Sequence, residues 1–324
     1  MEHANLGPVG RVSRLTLGGG GLGLVWGETT EDEAIATLHA AVDAGIDLID
    51  TAPMYGACEA IVGRAFGGTL PDGIRITTKC QLGEPPIGTV AAALAASLDA
   101  SLAAMQLDRV DVYFLHSNIC ADDFVYAHGN EHRAQFATPW SRYVDEAIPA
   151  FEELRRAGRI GAWGITGIGV PGTILAALDN SPQPAVVQAI ANLLDSPGGI
   201  RRYAEPARPR EVIAAARARG VGVMGIRAVQ AGALTSQFDR TVKETHPDGA
   251  DYRRAAPFRA LCQELGTDPA LLAHRYALDI AGVDTVVLGV KNRAELAQCI
   301  EAEAQGPLPA ELRARIDGLG LANA

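Results

Sequence analysis

What most constrains this chain is the spacing of its apolar runs. Eight short stretches rich in Val, Ile and Leu recur along 324 residues, each followed by a helical pattern. The runs are Leu15–Leu17, Ile46–Ile49, Ile74–Thr78, Val110–Leu115, Ile160–Ile165, Ala185–Ala189, Val221–Ile226 and Thr285–Leu288. None alternates strictly between apolar and polar, which is how strands buried on both faces read. Helical periodicity follows at about 32–44, 57–66, 88–106, 144–157, 171–178, 208–219, 250–280 and 292–304, with a ninth helix near 309–317. Local signals agree: Thr30 precedes Glu31 and Glu33, Pro171 and Pro269 sit at helix starts, and Gly45, Gly158 and Gly220 stop helices just before strands. Eight such units predict an α/β fold, a (β/α)8 barrel forming a single domain over residues 1–324.

Composition narrows the function classes. Hydrophobic residues make up 48 % and charged residues 20 %, enough to build a core. A net charge of −10 argues against nucleic acid and acidic membranes as partners, although a local basic pocket for a phosphorylated cofactor stays open. The five cysteines are scattered and form no CxxC pair, as expected for reduced thiols. The first twenty residues lack a basic start followed by an apolar stretch, and no apolar run reaches the ~18 residues of a membrane span. These features predict a cytoplasmic protein acting on a small molecule; nothing in them specifies an oligomeric state.

Three long connections follow strand ends: Ser117 to about Tyr143, Leu193 to Pro209, and about Arg227 to Gly249. They should gather on the barrel face where active sites sit. The first, a candidate lid, carries Phe124, Tyr126, Phe136 and Trp140 in a chain with 5 % aromatics. Those rings either line a pocket or pack on one another. Trp26, in the first loop, is a candidate substrate-pocket wall. His128 and His132 lie four apart in the lid, but no third ligand accompanies them and no metal site is expected.

Gly18, Gly20 and Gly23 satisfy G-x-G-x-x-G after the first strand, which suggests a dinucleotide-binding turn. That fingerprint needs a helix opening at the glycines, whereas helical periodicity starts only near Glu31. A glycine-rich first barrel loop, with Gly20 and Gly21 letting backbone approach a cofactor, is the better reading.

Four polar residues stand where apolar strands end. Asp50 closes GIDLID, Lys79 closes IRITTK, His116 closes VDVYFLH, and Tyr55 lies five residues beyond Asp50. Consecutive strand ends are neighbours in a barrel, so the four should converge. Lys79 needs a counter-charge such as Asp50. Its ammonium should lower the pKa of the Tyr55 phenol towards the working range, making it a general acid, while His116 orients a substrate carbonyl. With no metal cluster evident, a carbonyl held by Tyr55 and His116 requires a hydride donor such as a nicotinamide.

The segments G-I-D-L-I-D-T-A-P-M-Y-G (45–56), T-K (78–79) and F-L-H (114–116) resemble the aldo-keto reductase superfamily, over most of the chain. The resemblance implies that Asp50, Tyr55, Lys79 and His116 form the catalytic tetrad, with Tyr55 the proton donor, and that Asp50, Tyr55 and His116 also face cofactor or substrate. It further implies cofactor contacts at Thr166, Gln188, Arg227, Gly289, Lys291, Asn292, Arg293 and Gln298. The sequence departs from the family pattern at Gly167, Ile226, Glu295 and Cys299. Counted locally, Lys291 and Arg293 attract a 2′-phosphate and Glu295 repels it, which tilts the expectation towards NADP(H) with NAD(H) the alternative. The implied activity is hydride transfer between NAD(P)H and an aldehyde, ketone or sugar carbonyl. Its alternatives are an NAD-dependent sugar or aldehyde dehydrogenase, or a non-catalytic cofactor-binding subunit on the same fold.

Overall fold

A computed structural model describes residues 1–25, 27–238 and 241–322. The chain opens with an antiparallel hairpin, β1 (His3–Asn5) and β2 (Arg11–Ser13), that sequence periodicity did not reveal. The barrel then begins with β3 (Leu15–Gly18), β4 (Leu48–Asp50), β5 (Arg75–Cys80) and β6 (Val110–Leu115). Two short strands outside it, β7 (Asn118–Cys120) and β8 (Ala137–Pro139), pair in parallel within the long fourth loop. The barrel resumes with β9 (Ile160–Thr166), β10 (Val186–Ile190), β11 (Gly222–Ile226) and β12 (Thr285–Leu288), and β12 pairs with β3 to close it. All eight barrel pairings are parallel, so this is the expected (β/α)8 barrel, and a Rossmann sheet is excluded.

Two apolar layers hold it together. Leu15, Ile49, Ile76, Tyr113, Val187 and Val286 face the surrounding helices in the main core. Leu48, Val112, Phe114, Val186 and Met224 fill the barrel interior, where Leu6 and Val12 from the hairpin plug its lower end. Side chains alternate along a strand. Two residues on from Leu48, Phe114 and Val186, the same inner positions are therefore Asp50, His116 and Gln188. The apolar lower barrel thus continues into a polar upper mouth. Gly164 makes the packing possible, since a Cβ there would lie 2.4 Å from the Phe114 ring.

Helix boundaries follow the local signals. Thr30 caps Glu31–Asp43, accepting from the Glu33 amide at 3.2 Å. The stretch expected as one helical region at 250–280 is three helices, Pro247–Arg254, Ala256–Leu265 and Pro269–Leu278. Pro257 interrupts the first junction; Gly266, at φ +63°, and the Asp268 cap set the second. Among the described residues no helix is long and apolar enough to cross a membrane.

The connection 117–143 is ordered largely by its own contacts. Tyr126, Cys120 and Ala137 form a satellite core against which Phe124 and Phe136 pack. Ser117 Oγ accepts from Gly83 N at 2.8 Å, and Thr138 Oγ1 donates to the Gly83 carbonyl at 2.8 Å, strapping the connection to the preceding loop. Phe124, Tyr126 and Phe136 therefore pack within this connection, whereas Trp140 packs on Tyr143 and the main core.

Candidate active site

The barrel register brings the four strand-end residues together. Asp50 stands opposite Thr77 and Lys79 opposite Phe114 across adjacent strand pairs. Lys79 Nζ donates to Asp50 Oδ2 at 2.7 Å and to the Thr51 carbonyl at 2.8 Å. Asp50 Oδ1 accepts from Thr77 Oγ1 at 2.6 Å and from Gln188 Nε2 at 2.8 Å, the latter from a strand that is not a neighbour of β4. Lys79 is fully buried, so these charge-assisted bonds must replace the water that both ions lost. Burial alone would push the Lys79 pKa down; Asp50 and Tyr55 outweigh it and hold the ammonium above its ordinary value.

Tyr55 enters the cluster from the loop after β4. Its ring centroid lies 4.6 Å from Lys79 Nζ and 5.8 Å from the His116 ring, which meets it edge-on at 88°. A turn closed by Tyr55 N donating to the Ala52 carbonyl at 2.9 Å fixes its backbone. The expectation of a lowered phenol pKa is corrected here. Burial raises it, and the opposing pull of Lys79, though in the direction foreseen, is the smaller effect. The phenol is thus held protonated at neutral pH.

His116 is anchored through its main chain: its amide donates to the Cys80 carbonyl at 2.8 Å and its carbonyl accepts from Thr166 Oγ1 at 3.3 Å. Burial first, then the nearby Lys79 charge, lowers its pKa to about 3. The imidazole is therefore neutral at physiological pH. Its Nδ1 is buried without a hydrogen-bond partner among the described residues.

The glycine run packs closely on neighbouring backbone. Gly19–Leu22 form one buried helical turn that includes Gly20 and Gly21. A Cβ on Gly21 would lie 2.1 Å from the Val290 carbonyl, and one on Gly23 1.6 Å from the Tyr55 carbonyl. The glycines seat the first loop against neighbouring backbone, and through Gly23 they help place Tyr55. Trp26 lies outside the described residues.

The remaining candidates spread around the mouth. Thr166 is buried beside His116, and Gln188 is tied to Asp50. Gly289 leaves open space where a Cβ would stand. Asn292 caps the helix Arg293–Ala304 by accepting from Glu295 N at 2.9 Å, and Gln298 is exposed on that helix. The three cations expected near phosphates all have carboxylate partners: Lys291 with Glu295 at 2.8 Å, Arg293 with Glu33 at 2.9 Å, and Arg227 with Asp248 at 3.0 Å. Arg227, at φ +61°, also donates to Gln230 at 2.9 Å.

Sequence reading missed the supports. Thr77 precedes Lys79 by two residues, so strand periodicity alone would have put both on the inner face. The buried network of Asn192, Ser196, Gln230 and Asp251 between the loops after β10 and β11 had no local signal.

The family model described as Aldo/keto reductase family matches residues 14–320. The chain belongs to the aldo/keto reductase family. It is an oxidoreductase fold whose members bind nicotinamide cofactors and act on small carbonyl substrates. It is 28 % identical over 309 residues to L-galactose dehydrogenase of Arabidopsis thaliana, covering 93 % of this chain and 88 % of that one. It is 27 % identical over 335 residues to D-threo-aldose 1-dehydrogenase of a Pseudomonas species, covering 94 % and 93 %. Among solved structures, an aldo-keto reductase from Bacillus halodurans in its holo form superposes with a TM-score of 0.72 at 24 % identity, covering 98 % of this chain and 96 % of the other.

Proposed function

We propose that this aldo/keto reductase interconverts a small carbonyl compound and its alcohol, with Tyr55 as the proton-transfer group. The observation that carries this reading is the buried Lys79 ammonium, held by Asp50 and set 4.6 Å from the Tyr55 ring. The mouth residues fit a nicotinamide: the Thr166 hydroxyl and Gln188 carboxamide stand at adjacent strand ends, and His116 Nδ1 is a buried polar atom awaiting a partner. Asp50, Thr166 and Gln188 would hold the ring end, which when bound supplies or takes up the hydride.

In reduction, neutral His116 orients the carbonyl by donating a ring N–H to its oxygen. As the C–H bond forms and the carbonyl π bond opens, the oxygen takes the Tyr55 proton. The resulting phenolate sits beside the Lys79 ammonium, which stabilises it until solvent returns a proton. Oxidation runs the same steps backwards, with the Tyr55 phenolate as base. The two sugar dehydrogenases among the relatives favour testing sugar substrates in that direction first.

The test is turnover of a panel of carbonyls and alcohols by wild type and Tyr55→Phe, following nicotinamide absorbance. The variant should lose about 10²–10⁴-fold in kcat while still binding dinucleotide. Unchanged turnover would refute the role of Tyr55, and a wild type that turns over nothing would point to the non-catalytic alternative.

A further inference from the structure

Around Lys291 and Arg293, where the family resemblance implies the adenosine end, the structure contradicts the simple charge count along the sequence. The first loop forms a groove of about 660 Å³ lined by Leu24, Gly27, Glu28, Thr29 and Thr30. It borders Lys291: Gly27 stands against the Lys291 stem, and Thr29 Oγ1 donates to the Lys291 carbonyl at 2.8 Å. The groove thus lies beside the segment that leads into the helix Arg293–Ala304.

At that end each cation is already matched. Glu295 holds Lys291 twice, accepting from its backbone N at 2.9 Å and from Nζ at 2.8 Å. Glu33 holds Arg293 through three bonds, from the backbone N at 2.9 Å, Nε at 3.1 Å and Nη2 at 2.9 Å. These bonds keep the Glu33 carboxyl below its ordinary pKa, so it stays charged. Glu28 adds a third carboxylate to the groove wall. Locally, Lys291 and Arg293 give +2 against −3 from Glu28, Glu33 and Glu295. A chain of net charge −10 adds no compensating field.

We infer that this chain takes NAD(H) in preference to NADP(H), with Glu33 and Glu295 as the discriminating residues. The inference rests on the dinucleotide-dependent reading above. A 2′-phosphate would have to break one of these pairs and leave a carboxylate facing its own charge. A 2′-hydroxyl carries no such penalty and can donate to a carboxylate.

Dissociation constants for NADH and NADPH, measured by quenching of tryptophan fluorescence, test this without relying on turnover. Wild type should bind NADH on the order of tenfold more tightly. The double variant Glu33→Gln/Glu295→Gln should shift the NADH:NADPH ratio towards NADPH by a similar factor, more at low salt, with its thermal melt confirming a folded protein. Equal or tighter NADPH binding by wild type would overturn the inference, as would a ratio unmoved in the variant. Those outcomes leave the oxidoreductase reading standing, whereas failure to bind either dinucleotide would bring down both.

Discussion

The ion pairs Asp50–Lys79 and Lys291–Glu295 join the same two functional groups at nearly the same distance, 2.7 and 2.8 Å, in opposite surroundings. In the first, the side chains are 2 % and 0 % exposed; in the second, 34 % for Glu295 and 24 % for Lys291. Inside the barrel mouth water cannot screen the charges, so every oxygen of Asp50 must be answered by a fixed donor, and Thr77, Gln188 and Lys79 answer them. At the rim, solvent and salt weaken each pair, and what a ligand meets is the local balance of charge. On the proposed reading, burial makes the first pair part of the proton-transfer site, and exposure makes the second a filter for charge on the cofactor.

The sharpest way to break that contrast is Lys79→Met. It leaves Asp50 buried without its counter-ion, and should cost about 3–5 kcal/mol in urea unfolding and abolish turnover. Adding Asp50→Asn should restore most of the stability but none of the activity. If the double variant is as unstable as the single one, the uncompensated charge is not the cause.

Acid should expose the same burial through His116. Its folded pKa of about 3 lies below the ordinary 6.5, so the unfolded chain takes up a proton between those values while the folded one does not. Stability is full above about pH 6.5 and falls as pH drops towards 3, by up to about 1.4 kcal/mol per unit from this group. His116→Gln should flatten that part of the curve, and an unchanged slope would show that other groups set it.

Gly23→Ala tests placement rather than charge. A Cβ in contact with the Tyr55 carbonyl must shift the loop, and turnover should drop about 10–100-fold, by more than dinucleotide affinity falls. Smallest of all, Lys291→Gln should change stability by less than about 1 kcal/mol in a thermal melt. A larger loss would mean that the rim pair behaves like the buried one.

Much of the fold and of the candidate site is legible in the sequence. The eight strands lie within a few residues of their apolar runs because a strand buried on both faces has few polar options. Asp50, Lys79 and His116 stood out because polar residues end those runs. The hairpin β1–β2 escaped notice because three-residue strands leave no periodic trace. The β7–β8 pair was hidden for the same reason inside what reads as a loop.

What the sequence by itself determined is therefore the barrel, the family and the identity of the four mouth residues, all carried by short-range patterns of hydrophobicity and motif spacing. Tertiary structure decided their electrostatics. Gln188 reaches Asp50 from 138 positions away, and Glu33 reaches Arg293 from 260, so neither bond has a local signature. Burial raised the Tyr55 pKa where neighbouring charge alone suggested lowering it. Desolvation and counter-charge depend on which distant segments the fold brings into contact.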